Sequence, residues 1–350
     1  VRVLPGTYGP EVPGEAFLVF RRRHNGVTLE GAGARPGEVV LDGAGRVLHV
    51  VFFDEGIDRT TVMSGFTITG GRARPEEVLP EGYRHVLRPR IRPTDDFHFD
   101  GAGIMVYNST PVITNNVVTR NVAGRCGGGI SVFSPQTRSI FSAKRWKKLF
   151  TTGPGPLIVG NVISRNRAHA TGAGLDVYNW AKAVVVNNVF EGNASARAGG
   201  AIAVLDRATA EIDGNTIVGN SAEGYGSAVA VYEDARPIEI TNTIFVGNRL
   251  SNVIVSHGGK VTVRSSCFFD NDGDYRPATT LGNLWGDPLF VKGPRGPYYL
   301  TQEPEGRPVE SPCVDAGVRT HHNALIHGLT TRTDGAPDTA STDIGFHYAP

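Results

Sequence analysis

Groups able to exchange protons recur near the middle of the chain. "DDFHFD" carries His98 and Asp100, and "RAHATGAGLDVYNW" carries His169, Asp176, Tyr178 and Trp180. Imidazole, phenol and carboxyl groups serve as general acids or bases once neighbours tune their pKa values. For either histidine the plainer alternative is a hydrogen-bonded turn residue. Asp100 and Asp176 could supply oxygen ligands to Ca²⁺. Cations gather in two nearby stretches. "YRHVLRPRIRP" contains Arg84, Arg88, Arg90 and Arg92, and "TRSIFSAKRWKKLF" contains Arg138, Lys144, Arg145, Lys147 and Lys148. Such a concentration, in a chain of formal net charge +1, would attract a polyanion.

Something must position these groups, and the chain repeats itself. "PVITNNVVTRN" ends at Asn121. It recurs as "PLIVGNVISRN", "VVVNNVFEGN", "AEIDGNTIVGN", "IEITNTIFVGN" and "VTVRSSCFFDN", ending at Asn166, Asn193, Asn220, Asn248 and Asn271. Gly/Ala-rich pieces such as "GAGIMVY", "GGGISVF" and "GAGLDVY" precede the copies. Aligned on Ile104, Ile130, Leu175, Ile202, Val229 and Val253, these pieces lie 26, 45, 27, 27 and 24 residues apart. Apolar residues alternate within each piece, which is strand periodicity. A repeat of about 25 residues made of short strands is one coil of a solenoid. Stacking about 4.8 Å apart would align Asn116, Asn161, Asn188 and Asn215 in one column, and the terminal asparagines in a second. Asparagine tolerates left-handed corners, and its amide can bond the coils on either side.

Two copies are interrupted, by about 24 residues before Ile104 and about 18 after Ile130. The two basic stretches lie in these insertions. Alternation points the residues one and three positions after Ile104 and its equivalents away from the core. The nearer column reads Met105, Ser131, Asp176, Ala203, Ala230 and Ile254. The farther reads Tyr107, Phe133, Tyr178, Leu205, Tyr232 and Ser256, an aromatic ladder suited to stacking on sugar rings or to capping turns. In the corner before the strand, His98, Gly124 and His169 share one column, while Asp100, Cys126, Thr171, Ala198 and Tyr225 share another. Asp100 and Asp176 are five strand positions and two coils apart, which speaks against one shared ion. Asp206 and Glu233, in neighbouring coils about 5 Å apart, have the spacing of a retaining glycosidase pair.

The pattern GGGI-x-V … I-x-N-N-x-I-x-x-N resembles the right-handed parallel β-helix of the pectate-lyase-like superfamily, over residues 27–275 or so. The tail "GNLWGDPLF … ESPCVDAG … TDIGFHY" resembles the closing segment of secreted bacterial β-helix repeat proteins, with "DIGFHY" in place of the usual acidic ending. The expected fold is all-β: a right-handed solenoid of about seven coils. Residues 1–45 would form an N-terminal cap and first strands, 46–275 the helix with insertions near 72–99 and 134–156, and 276–350 an irregular segment packed on it.

The resemblance implies an exported, carbohydrate-active protein on an acidic (uronate or sulfated) polysaccharide, foremost a lyase working by β-elimination. A non-catalytic binding module is the main alternative, and a hydrolase or epimerase a further one. His98, His169, Asp176, Tyr178 and Asp100 are the expected catalytic set. Tyr107, Tyr232, Trp180, Arg125, Arg145, Lys147, Lys148, Arg88 and Arg90 are the expected substrate contacts. The clustered acids of calcium-dependent pectate lyases are missing. "SHGGK" at 256–260 lacks the companion motifs of polygalacturonases.

Composition agrees with this class. The chain has 350 residues, 45 of them Gly and only 2 Met, which favours strands and tight turns. No apolar run is long enough to span a membrane, and no leader peptide is visible. Nucleic acid is a weaker partner, because no binding motif accompanies the charge. A monomer is expected. Three cysteines without a CxxC argue against structural zinc. Cys267 and Cys313 could pair, or all three thiols could be free.

Overall fold

Runs as short as Val112–Thr114 cannot hold together as isolated pairs. They persist by stacking on equivalent runs of the coils above and below. In the computed structural model this stacking organises the described residues, which are 1–81, 87, 96–134, 153–232, 235–256, 261–273, 275–276, 279–302, 309–338 and 341–350.

One coil shows the pattern. Ile104–Tyr107 lies in sheet I, Val112–Thr114 in sheet II, Val117–Thr119 in sheet III, and Val122–Ala123 in a short sheet IV. Among the described residues, sheets I, II, III and IV contain 9, 10, 10 and 5 strands, with every neighbouring pair parallel. Ile104, Ile130, Leu175, Ile202 and Val229 stand in register. With the inward residues of sheets II and III they fill one continuous core.

Three expectations need revision. The stack begins with Arg2–Val3, Gly6–Tyr8 and Gly14–Phe20, which already belong to sheets II, III and I. It continues to Leu284–Trp285. Among the described residues the stack passes nine times through sheet I, against the expected seven or so, and the first strands within 1–45 are already part of it. Val229 pairs with Ile254 rather than Val253, so Ser256 sits opposite Val231 and outside the aromatic column.

The third revision concerns the asparagines. The left-handed residue at each corner is the one before the ladder position: Asn115 (φ 53°), Asn187 (54°), Asn242 (47°), and Arg120 (57°) and Arg165 (54°) at the second corner. Each ladder Asn instead turns its amide inward. Asn193 Oδ1 accepts from Asn166 N and Nδ2, both at 3.0 Å, and Asn193 Nδ2 donates to Ile163 O (2.8 Å) and Asn220 Oδ1 (2.9 Å). The first column continues through hydroxyls at Thr243 and Ser266 before Asn283.

The C-terminal segment forms an antiparallel hairpin, Phe290–Gly293 with Gly296–Leu300. Its aromatic cluster packs on Val189 of sheet III. Residues 345–347 then run along the sheet II–III corner: Gly345 N donates to Asn242 O, Phe346 N to Thr216 Oγ1 and His347 N to Asn187 Oδ1. This gives "DIGFHY" a structural task. Cys267 and Cys313 are free thiols buried in one cluster.

Replacing Asn193 by Ala strands buried partners on both neighbouring coils. A loss on the order of 3 kcal/mol is expected, against about 1 kcal/mol for Asn271→Ala at the half-exposed end of the column. Urea-unfolding midpoints measure the difference, and equal shifts would refute the ladder's role.

Candidate functional site

The corner entering sheet I folds back on itself. Gly101, Gly127, Gly172, Gly199 and Gly226 all have φ between 59° and 65°, a conformation that favours glycine. A Cβ on Gly172 would lie 2.5 Å from Leu175 O and 2.8 Å from Asp176 Cβ. The turn thereby lays Thr171 over the strand. In consequence Met105, Ser131, Asp176, Ala203 and Ala230 do point away from the core, yet none is exposed. They form a covered seam, not an open groove floor.

This turn also brings together carboxylates that strand counting separates. Thr171 Oγ1 bonds Asp176 Oδ1 (3.0 Å) and Cys126 Sγ (3.1 Å), and Cys126 N donates to Asp100 Oδ1 (2.9 Å). Arg125 grips both oxygens of Asp100. Burial, and next the charge of Asp100, push the Asp176 carboxyl well above its ordinary range. The same two carboxylates, after burial, push the Cys126 thiol up. Asp176 Oδ2 and Ser131 Oγ, on paired positions, have no hydrogen-bond partner among the described residues.

His98 and Asp100 are fully buried, with His98 Nδ1 3.9 Å from Glu15 Oε1. Glu15 in turn accepts from the backbone N of Leu87. Leu87, the described residue within the first insertion's basic stretch, packs on Phe52, Met105 and Tyr107. Tyr107 is thus covered rather than presented to substrate. His49, which the sequence did not single out, is buried nearby and burial lowers its pKa to about 4. The register sets His169 beside Gly124 and Arg74 rather than in one column with His98, and His169 is exposed. His98 and His169 are therefore not equivalent.

Ring contact along the aromatic ladder reaches back to Phe52, which pairs with Met105 and so stands in the nearer column. The rings of Phe52, Tyr107, Phe133 and Tyr178 follow one another at 6.2, 5.7 and 5.1 Å. Leu205 breaks the ladder, and Tyr232 packs edge-on against Tyr225 instead. At its accessible end Arg125 lies over the Tyr178 ring at 5.0 Å. Beyond, Asn179 (φ 57°) and Trp180 (φ 68°) are both left-handed, as are Asp206 and Arg207 on the next coil. For tryptophan this conformation is strained. It brings the indole beneath Arg207 (5.0 Å) and Arg236 (5.7 Å), neither of which is ion-paired among the described residues. Three guanidinium groups thus lie on two aromatic rings along the edge of sheet I.

Arg84, Arg88, Arg90, Arg92, Arg138, Lys144, Arg145, Lys147, Lys148 and Glu233 lie outside the described residues. Ca²⁺ takes 6–8 oxygen ligands. Around Asp176 the described oxygen donors are the hydroxyls of Thr171 and Ser131 and the carboxylate of Asp100, which Arg125 already holds, so these residues fall short of that ion's coordination.

Sequence reasoning missed a second cluster. Glu211 of sheet II faces His321 and His322, which are 110 and 111 residues away along the chain. His322 also contacts Asp213 at 3.3 Å. Burial would lower the His322 pKa, but the two carboxylates override it and raise it to about 9. The adjacent pair "HH" was its only local signal.

Residues 94–224 match the family model described as a right handed beta helix region. Neither the comparison with curated proteins nor that with solved structures gave a match. With the parallel stacking above, the chain folds as a right-handed parallel β-helix.

Because the fold favours neutral Asp176, its contribution to stability is complete below the ordinary carboxylate range near pH 3.8. It declines as pH rises toward the elevated folded value. Asp176→Asn should therefore raise Tm by a few degrees at pH 8 and leave it near wild type at pH 4. A variant less stable at pH 8 would contradict this.

Proposed function

We propose that this protein acts outside the cell on an acidic polysaccharide, held along the edge of sheet I, and cleaves it by β-elimination. The observation that carries the reading is the run of Arg125 on Tyr178 and of Arg207 and Arg236 on Trp180. Guanidinium groups pair with carboxylate or sulfate in a forked geometry, and aromatic faces accept sugar rings. Asp100 holds Arg125 through Nε and Nη2 and fixes its plane, which leaves the remaining N–H donors to bond a uronate carboxylate. Tyr178 beneath it, and exposed His169 on the same coil, are the groups able to move the proton. Asp176, His98 and Asp100 act as positioning residues, since all three are buried.

That burial also supports a second reading, a binding module without catalysis. Absorbance near 235 nm, followed during incubation with a panel of acidic polysaccharides, distinguishes the two. A lyase gives a rising trace that falls at least tenfold in Arg125→Ala and Tyr178→Phe. A binding module gives a flat trace and salt-sensitive retention on the same polymers, weakened in Trp180→Ala. Neither cleavage nor retention would remove both readings.

A further inference from the structure

The C-terminal segment carries a donor set that the polysaccharide reading does not use. Glu211 Oε2 lies 3.1 Å from His321 Nε2 and 3.2 Å from His322 Nε2. The three ligand atoms fall within 4.8 Å of one another. Ligands at about 2.0–2.1 Å from a tetrahedral zinc ion are themselves about 3.3 Å apart, so two edges of such a tetrahedron are already in place.

Other contacts orient these donors. His322 Nδ1 faces Asp213 Oδ2 at 3.3 Å, which turns Nε2 toward Glu211. This is the carboxylate–histidine arrangement that accompanies metal-bound imidazole. Asp213 is itself held by Thr241 Oγ1 (2.7 Å), Asn242 Nδ2 (2.9 Å) and Thr320 Oγ1. Lys182 Nζ occupies the other oxygen of Glu211 at 2.8 Å and leaves Oε2 to the histidines. The cluster lines a pocket of about 290 Å³, with room for a fourth ligand.

We propose that Glu211, His321 and His322 bind a zinc-class divalent ion, which clasps residues 320–322 to the sheet II strand Thr209–Asp213 and leaves one coordination position open. Two imidazole nitrogens and one carboxylate oxygen select zinc, cobalt or nickel over calcium or magnesium.

The test is a Zn²⁺ titration of the full chain against a chromophoric chelator, with Co²⁺ absorption as a check on geometry. Wild type should take up one equivalent with micromolar or tighter affinity. His321→Ala should weaken it at least tenfold. The His321 side chain is 77% exposed, so that variant is not expected to disturb folding. His327→Ala, at an exposed position on the same segment, should bind as wild type does. Zn²⁺ should also raise the Tm of wild type but not of His321→Ala. Absence of binding, or equal affinity in wild type and His321→Ala, would overturn the proposal.

Discussion

Every coil depends on the next one to satisfy its corner amides. A parallel β-helix buries the polar backbone at each bend, where no strand ladder can reach it, and an unpaired buried amide costs as much as a lost hydrogen bond. Here the Asn side chain closes the gap in both directions, bonding the coil before and the coil after. A slip of one residue would break the column and turn the whole apolar face outward. The ladder therefore fixes register, and register decides which distant side chains become neighbours. Tyr107, Phe133 and Tyr178 stack because of it, and Asp100, Cys126 and Thr171 meet because of it.

A second constraint acts on the other side of the core. The left-handed glycines before sheet I fold each corner back over the first outward residue of the strand. Space there is limited: Ser131, Ala203 and Ala230 flank Asp176 in the column, and that buried carboxylate is forced toward neutrality. The accessible surface is displaced to the strand's far end, where Tyr178 and Trp180 meet solvent beneath arginines. A site built this way places exchangeable contacts on a stiff edge and keeps its buried polar network as support.

Much of this was legible in the sequence. The repeat, both Asn columns, the corner column Asp100–Cys126–Thr171–Ala198–Tyr225 and the aromatic stack followed from spacing, because a solenoid converts sequence period directly into contact. Other features did not follow, for identifiable reasons. The first coils lack the Asn signature, and backbone groups such as Gly71 N occupy the ladder position instead. Strand counting alone sets Asp100 and Asp176 apart, because it ignores the reversal at Gly172. Tyr107 was expected at the surface, but Leu87 covers it from an insertion whose path no periodicity predicts. The cluster of Glu211 with His321 and His322 joins the solenoid to a non-repeating tail, so no period could reveal it.

On the proposed function, an acidic ligand meets the edge of sheet I rather than its covered seam. Amide hydrogen exchange with and without a saturating acidic oligosaccharide measures this directly. Slower exchange confined to the corner segments following Tyr178 and Leu205, with Asp176 and its neighbours already slow in the free protein, is the predicted result. Unchanged exchange at those corners, with protection appearing at another face, would contradict it.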